Sequence, residues 1–229
     1  SAAAIVEHRL CPLVSDAHML HLLAREAGVR GQVLSIHLKV DVGMGRQGAL
    51  PENFLELLRL ALTLPAIRVD GLMANLPKGD ERSGTHSRMA LAAFSRLISE
   101  ARALIPHACS CHLANSGGLF YVAGAQLDQV RPGIALYGYY PDGAAGRSAS
   151  TEPRLQPAMQ WKAAILQVRH LPPGHTVGYD CTYTTTRPTT IAVLPVGYAD
   201  GYLRKLSSRG QMLVGGRRAQ VLGRISMNL

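Results

Sequence analysis

The chain has 229 residues, 47% of them hydrophobic, and its 24 Lys and Arg residues against 15 Asp and Glu residues give a formal net charge of +9. This content of apolar side chains excludes an intrinsically disordered protein, and since no uncharged apolar stretch reaches about 18 residues, we expect no membrane-spanning helix. The length allows one large domain or two modest ones.

The first part of the chain alternates apolar runs with amphipathic patterns. We predict strands over residues 12–14, 33–42, 67–73, 110–114 and 129–137. We predict helices over residues 17–27, from Pro51 onward and over 87–104, the last with Met89, Leu97 and Leu104 on its apolar face. Strands that alternate with helices form right-handed βαβ units, so this part is predicted to contain a parallel sheet.

The pattern changes at residues 141–146, whose Pro, Asp, Gly and Ala content is typical of a linker. After it we find no long helical pattern, only short β-rich runs over residues 161–171, 182–186, 190–196, 211–214 and 219–225. We therefore predict two domains, an α/β domain over residues 1–145 and a β domain over residues 146–229.

The basic charge extends to the C-terminal end, where no Asp or Glu follows Asp200. Such a tail could contact nucleic acid. Aromatic residues are only 5% of the chain and no three basic residues are consecutive, so we expect no nucleic-acid partner. An anionic small ligand explains the charge as well.

The four cysteines, Cys11, Cys109, Cys111 and Cys181, have no CxxC spacing and no zinc-binding pattern. We therefore expect no metal site. Buried reduced thiols are the favoured interpretation of Cys109 and Cys111, with a vicinal bridge as the weaker alternative, and reduced thiols are typical of the cytoplasm.

Residues 43–48 match the dinucleotide-binding pattern GxGxxG, and Asp70 lies 22 residues after Gly48. Two features weaken this interpretation. The preceding strand carries Lys39 and Asp41, and Pro51 delays the following helix, so that no helix N-terminus would meet a pyrophosphate there.

Two further segments place polar groups where predicted strands end. In residues 112–118 the polar pair Asn115 and Ser116 precedes two glycines, a combination that suits a phosphate but also an ordinary turn. In residues 130–138, Arg131 stands among apolar residues of a predicted strand. A buried Arg keeps its proton, so it is either in an ion pair or directed at a ligand.

Two of the Gly-Tyr dipeptides in the β-rich part, at Tyr179 and Tyr198, lie 19 residues apart. Most tyrosines bury the ring and hydrate the hydroxyl. The repeated dipeptide within 19 residues is less typical of packing, and it makes these hydroxyls candidate site groups.

Six segments, residues 37–46, 112–116, 130–138, 177–183, 194–202 and 223–228, together resemble the alanine racemase family in order and spacing. The resemblance implies a pyridoxal 5'-phosphate enzyme, an isomerase that interconverts L- and D-alanine and supplies D-alanine for peptidoglycan. It also implies a cytoplasmic homodimer with shared active sites, no nucleic-acid or membrane partner, and a chance origin for the GxGxxG match.

The family's fold is an N-terminal (β/α)8 barrel followed by a β domain, and a full barrel takes about 250 residues. The resemblance therefore implies an α/β plus β chain with about five of the eight barrel units and a truncated β domain. We expect a fragment that lacks both the N-terminal part and the C-terminal end of the family.

The resemblance also carries over site residues, each at the position that matches a family motif. Tyr179 matches the catalytic base of one face, Arg46 the contact to the substrate carboxylate and to that tyrosine, and Lys39 a lysine that is often carbamylated. Cofactor contacts are implied for Arg131 at the pyridine nitrogen and for Asn75, Asn115, Ser116, Gly133 and Ile134. Substrate contacts are implied for Met227, Arg46 and Tyr198.

The sequence departs from the family pattern at three points. Asn75 stands where the family usually has His beside the cofactor ring, and Asp180 stands where it has Gly after the catalytic tyrosine. No lysine lies in the context of the family's Schiff-base lysine, so we expect this chain alone to be inactive. A same-fold racemase or decarboxylase for another amino acid, and a non-catalytic fragment, remain alternatives.

Overall fold

The computed structural model describes residues 1–82, 84–143 and 153–229, and the chain divides into two compact units, Ser1–Met159 and Gln160–Leu229. The predicted linker over residues 141–146 lies in part outside the described residues. The predicted boundary between residues 145 and 146 falls there as well and stays a prediction.

The first unit is built from strands and helices that alternate along the chain. Its helices are α1 (Ala2–Glu7), α2 (Ala17–Val29), α3 (Pro51–Thr63), α4 (Thr85–Arg102) and α5 (Ser116–Tyr121). Its strands are β1 (Leu13–Val14), β2 (Leu34–Lys39), β3 (Ile67–Met73) and β4 (Ser110–His112). The pattern of the sequence predicted this alternation and the bounds of β3, but it did not reveal α1.

The four strands form one parallel sheet in the order β1-β2-β3-β4. A single parallel bridge between His112 and Gln129 adds a fifth position after β4. Successive parallel strands joined by helices are the arrangement of a βα barrel. The predicted set of about five strand–helix units is therefore present, with the fifth strand reduced to one bridge.

Apolar residues alternate along β2 and place the core on one side of the sheet. Ile36, Leu38 and Val40 are fully buried and belong to the same apolar cluster as Phe54 and Leu58 of α3. Because side chains alternate between faces of a strand, Ser35, His37 and Lys39 lie on the opposite face. The helices cover the apolar face, and the polar face is left for a site.

Two details of the sequence prediction are wrong in this unit. The stretch over residues 129–137 is not one strand, because Pro132 has no N–H for a ladder and the chain turns into a 3-10 helix, Ile134–Tyr137. The apolar face of α4 is rotated from the predicted one. Leu97 is buried as predicted, but Met89 is 68% exposed, and Phe94 and Ile98 are buried as well.

The second unit consists of short strands and single turns of 3-10 helix. Its strands are β5 (Gln167–Leu171), β6 (Thr176–Val177), β7 (Tyr183–Thr184), β8 (Thr189–Val193), β9 (Gln211–Val214) and β10 (Arg217–Gln220). They pair antiparallel as β5 with β8, β6 with β7 and β9 with β10. The predicted β character and the bounds of β9 are confirmed.

The last predicted strand, residues 219–225, begins too late. Gly215 and Gly216 have φ values of 56° and 78°, the left-handed conformation of a two-residue hairpin turn. The turn is complete at Gly216, and β10 therefore pairs from Arg217 directly opposite Val214. The strand predicted from residue 161 has the opposite error, because it begins only at Gln167.

Across the described stretches of the chain, no helix is both long enough and apolar enough to traverse a lipid bilayer.

Candidate functional site

The polar face of β2 lies next to an irregularity in β3. The register of the two strands shifts between Ile36 and His37, so that Asp70 is an extra residue on β3. Such bulges redirect side chains and are frequent beside active sites. Here Asp70 accepts a hydrogen bond from Ser35 Oγ and pairs with Arg68 at 2.8 Å.

Arg131 is held at the carboxyl ends of β3 and β4 by four hydrogen-bond acceptors. Its Nη2 donates to the carbonyl oxygens of Ala74 (2.9 Å) and Leu113 (3.2 Å) and to Asn75 Oδ1 (3.2 Å), and its Nη1 lies 2.8 Å from His112 Nδ1. The guanidinium is thus fixed in orientation, while its Nε–H and one of its two Nη1–H donors take no part in these four contacts.

Burial lowers the pKa of Arg131, but a guanidinium stays protonated in proteins at neutral pH. No carboxylate is among the four acceptors that hold it. Of the two interpretations of this residue, an ion pair or a ligand contact, the observed geometry favours the second.

His112 connects Arg131 to His37. The Nε2 of His112 lies 2.7 Å from His37 Nδ1, and the ring centroids are 4.9 Å apart. Burial lowers the pKa of His112 to about 4, and the charge of Arg131 and the ring of His37 contribute in the same direction. The imidazole is therefore neutral at physiological pH.

Lys39 ends β2 with only 4% of its surface exposed. Burial lowers the pKa of its ammonium, Arg46 and Arg131 lower it further, and Asp41 partly opposes them. The structure thus brings a buried amine under the influence of two cations, which makes the neutral amine easier to reach than in an exposed lysine.

Asp41 organises the loop that carries Arg46. Its carboxylate accepts the backbone N–H groups of Gly43 (2.9 Å), Met44 (2.7 Å) and Arg46 (3.2 Å). Burial raises the pKa of this carboxyl, but the backbone donors outweigh it and hold the pKa below its ordinary value. The glycine-rich loop therefore directs its N–H groups at Asp41, which leaves them unavailable to a nucleotide phosphate.

Asn115 and Ser116 begin α5, which follows β4. Asn115 Oδ1 accepts from Gly118 N at 2.9 Å and caps the helix, as Asn commonly does. Ser116 Oγ accepts from the backbone N–H groups of Gly133 (2.8 Å) and Ala135 (3.3 Å). Because this oxygen already accepts two bonds, its own proton can be donated to an anion.

Asn75 occupies the position where the resemblance predicts His. Its Oδ1 accepts from Arg131, and its Nδ2 lies 3.3 Å from the carbonyl of Leu76 and 3.8 Å from Met44 Sδ. Asn75 thus supplies a hydrogen bond to Arg131 although it has no ring.

Tyr179 lies in the second unit, on a 3-10 turn, Tyr179–Cys181, with 69% of its surface exposed. The adjacent Asp180 has φ 58°, a left-handed conformation that glycine adopts without strain and that Asp tolerates better than most residues. The carboxylate of Asp180 pairs with Arg224 Nε at 3.0 Å. Its negative charge is thereby directed toward Arg224.

Tyr198 and Met227 are brought together by the backbone. The N–H groups of Tyr198 and Ala199 donate to the carbonyl oxygens of Ser226 (3.0 Å) and Met227 (2.9 Å). Tyr198 begins a 3-10 turn, Tyr198–Asp200. An open apolar cleft in the same unit is lined by Tyr179 together with Arg224 and Ser226, whereas Tyr198 and Met227 do not line it.

The predicted site residues are thus divided between the two units. In the first unit they are Lys39, Arg46, Asn75, Asn115, Ser116, Arg131, Gly133 and Ile134. In the second unit they are Tyr179, Tyr198 and Met227. Sequence reasoning gave no role to His37, Asp41 or His112, although the alternation of Ser35, His37 and Lys39 with apolar residues was a signal for a polar inner face. In the described stretches, no three His, Cys, Asp or Glu side chains are grouped for a metal ion.

Comparison with protein families gives two matches that cover nearly the whole chain. The model of the alanine racemase N-terminal domain matches residues 1–141, and the model of the alanine racemase C-terminal domain matches residues 158–229.

Curated relatives agree with these family matches. The chain is 39% identical to an alanine racemase of Desulfosudis oleivorans, with 98% of this chain and 59% of the relative covered. It is 38% identical to one of Symbiobacterium thermophilum, with 99% and 59% covered. The chain thus spans about three fifths of the length of the curated relatives that it matches.

Solved structures share the fold. The alanine racemase of Clostridium difficile 630 superposes with a TM-score of 0.88 at 28% identity, over 99% of this chain and 58% of that one. The alanine racemase of Streptomyces lavendulae gives 0.88 at 31% identity, over 99% and 60%. The Bartonella henselae enzyme, solved with covalently bound pyridoxal phosphate, gives 0.79 at 28% identity, over 98% and 60%.

Proposed function

Because the chain belongs to the alanine racemase family, we propose that it serves the interconversion of L- and D-alanine with pyridoxal 5'-phosphate as cofactor. The observation that carries this proposal is the fixed guanidinium of Arg131 at the carboxyl end of the sheet, whose Nε–H is not used by the four contacts that hold the group. In a βα barrel this end is where ligands bind.

The donors around this point fit the cofactor. Arg131 would donate to the pyridine nitrogen, and as a permanent cation it would keep that nitrogen unprotonated. Ser116 and Ile134 would hold the phosphate, and Gly133, whose N–H already donates to Ser116 Oγ, would orient the Ser116 hydroxyl toward it. Asn115 shapes this cradle as the cap of α5, and Asn75 supports Arg131.

When bound, pyridoxal phosphate supplies the electron sink that makes the α-hydrogen of an amino acid acidic. The residues of this chain would orient the substrate and move the proton. Arg46, Met227 and Tyr198 would bind the amino acid, the first through its carboxylate. Tyr179 would take or return the α-proton at its phenolic oxygen on one face.

Lys39 is proposed to be carbamylated. The neutral amine, which burial and Arg46 favour, attacks the carbon of CO2, and a proton leaves the nitrogen. The product is an anion beside Arg46 and Arg131, so the charge repulsion of the unmodified ammonium is replaced by attraction. This anion would fix the orientation of Arg46 for the substrate carboxylate.

A homodimer with shared active sites is part of the proposal. The exposure of Tyr179 supports it, because a catalytic phenol must be covered by other protein or by substrate when it works. We place the enzyme in the cytoplasm, where its D-alanine would enter peptidoglycan, and we assign it neither nucleic-acid nor membrane partners. Since no lysine in the chain matches the family's cofactor-binding lysine, we expect the isolated chain to be inactive.

The test is to purify the complete gene product, add pyridoxal phosphate and measure the interconversion of alanine enantiomers. We expect activity with alanine above that with serine and other amino acids. Exchange with serine alone would reassign the substrate, and loss of carboxyl as CO2 would point to a decarboxylase. A protein that binds no cofactor and exchanges no amino acid would refute the proposal.

A further inference from the structure

We propose that His37 is a positioning residue that holds the ring of His112 against Arg131 and, through it, the orientation of Arg131. Its importance to catalysis rests on the proposed function, in which Arg131 faces the cofactor. The hydrogen-bond chain itself, Arg131 to His112 to His37, is a property of the protein without cofactor.

The direction of this chain follows from its first member. A guanidinium only donates hydrogen bonds, so His112 Nδ1, 2.8 Å from Arg131 Nη1, must be the acceptor and carry no proton. The proton of a neutral His112 is then on Nε2, which donates to His37 Nδ1 at 2.7 Å. His37 in turn is bare at Nδ1 and protonated at Nε2.

The fold makes a specific place for the His37 ring. A Cβ atom on Gly71 would lie 2.5 Å from three ring atoms of His37, so only glycine allows the ring to lie against β3 at this point. The extra residue Asp70 precedes Gly71 and shifts the register so that Gly71 pairs with His37. A bulge and a glycine therefore act together to seat this imidazole.

The surroundings of the two rings keep both imidazoles neutral, so that the hydrogen bonds run from Arg131 to His112 to His37. Asp70 on β3 is the charge that acts on His37, with Ser35 and Lys39 on the same face of β2, and Arg131 is the charge that acts on His112. Burial lowers the pKa of His37 more than Asp70 raises it. With both rings neutral, each has one donor and one acceptor, which is what the chain requires.

A ring that only filled space at position 37 would be replaceable by an apolar side chain of similar size. Loss of the acceptor, however, leaves the buried His112 Nε2–H without a partner. The ring of His112 then gains by rotating until its Nε2–H meets another acceptor, and this rotation takes Nδ1 away from the guanidinium of Arg131. The acceptor at position 37 is therefore what keeps His112 able to receive the Arg131 donor.

The experiment uses the protein without cofactor, labelled with ¹⁵N in its histidine rings, and long-range nitrogen–proton spectra between pH 7 and 8. His112→Gln assigns the His112 signals by their loss. We expect His112 to carry its proton on Nε2 throughout. A wild-type proton on Nδ1, or on both nitrogens, overturns the proposal whatever the variants do.

The variants separate the acceptor from the space that it fills. His37→Asn keeps an oxygen near the position of Nδ1 and should retain the His112 pattern, whereas His37→Leu, which releases the His112 ring from Arg131, should mix the two tautomers. Gly71→Ala, which displaces the ring, should act like His37→Leu. His18→Leu on the exposed face of α2 is the control and should change nothing. An unchanged His112 pattern in His37→Leu or in Gly71→Ala overturns the proposal.

A titration with pyridoxal phosphate tests the step to Arg131. We expect His37→Leu to bind the cofactor roughly tenfold more weakly than His37→Asn. Equal affinities would overturn that step. A wild-type protein that binds no cofactor would refute the proposed function, while the tautomer spectra would still decide the role of His37.

Discussion

Arg131 Nη1 lies 2.8 Å from Nδ1 of His112, so that a buried cation is held by a neutral imidazole. A carboxylate in place of the ring would neutralise the charge of the guanidinium in a structural ion pair. An imidazole orients the group and leaves its charge intact. This distinction is what makes Arg131 available to a ligand.

The same contact predicts that the protein loses stability in mild acid. The pKa of His112 is lowered to about 4 from an ordinary value of 6.5. Between these two pH values the ring is therefore protonated in the unfolded chain and neutral in the folded protein. Stability is full above pH 6.5 and falls as the pH drops toward 4, by up to about 3 kcal/mol. Urea unfolding at pH 7, 6 and 5 measures it.

The control for this pH effect is His112→Gln, which removes the titrating ring. We expect a shallower fall in its unfolding free energy between pH 6.5 and 5 than in the wild type. Equal slopes in the two proteins would show that other groups, and not His112, cause the acid sensitivity.

Removal of the Arg131 guanidinium should destabilise the fold strongly. Arg131→Met leaves the carbonyls of Ala74 and Leu113 and the Nδ1 of His112 without their donor. We expect a loss of about 3 kcal/mol in the free energy of unfolding, measured by urea denaturation at pH 7.5.

Arg30→Met is the matched control for Arg131. The side chain of Arg30 is at the end of α2 and pairs with Glu26 four residues earlier at 2.9 Å. An exposed pair of this kind contributes little, so its removal should change the unfolding free energy by less than about 0.5 kcal/mol. Similar losses in both variants would contradict the structural account of Arg131.

Much of this architecture could be predicted from local patterns. The bounds of β3 were predicted correctly because apolar and β-branched residues mark Ile67–Met73. The stretch after Gln129 was wrong because one residue, Pro132, ends the ladder inside an apolar run. Patterns of burial are local, whereas the end of a strand can depend on a single missing N–H group.

The site could be predicted only in part. Motifs identified Lys39, Ser116 and Arg131 as candidate site residues, and all three lie in the first unit. The contact between His37 and His112 joins residues 75 positions apart. It depends on the bulge at Asp70 and the space at Gly71, and neither follows from the spacing of residues along the sequence.

Asp180 should be tolerated because of its backbone conformation and not because of its charge. Its φ of 58° strains any residue with a Cβ, and Asn and Asp tolerate it best. We expect Asp180→Asn to match the wild type within about 0.5 kcal/mol, since its pair with Arg224 is exposed. Asp180→Ala should lose about 1 kcal/mol more. Thermal unfolding measures both, and identical melting of the Ala and Asn variants would rule this explanation out.

Tyr179→Phe should separate the two halves of the proposed reaction. The substitution removes one hydroxyl from a side chain that is 69% exposed, so we expect the fold to be unchanged. Because the phenol would serve one face of the amino acid and another base the opposite face, alanine interconversion should fall by about a thousandfold in both directions. The complete gene product with pyridoxal phosphate is the sample.

Incubation of the Tyr179→Phe variant in D2O completes the test. The remaining base would still exchange the α-hydrogen of one alanine enantiomer, so deuterium should enter that enantiomer alone and without inversion. Tyr139→Phe, which removes another exposed hydroxyl, should racemise alanine like the wild type. Interconversion by Tyr179→Phe at the wild-type rate would remove Tyr179 from the mechanism, and loss of exchange from both enantiomers would assign it a role beyond proton transfer on one face.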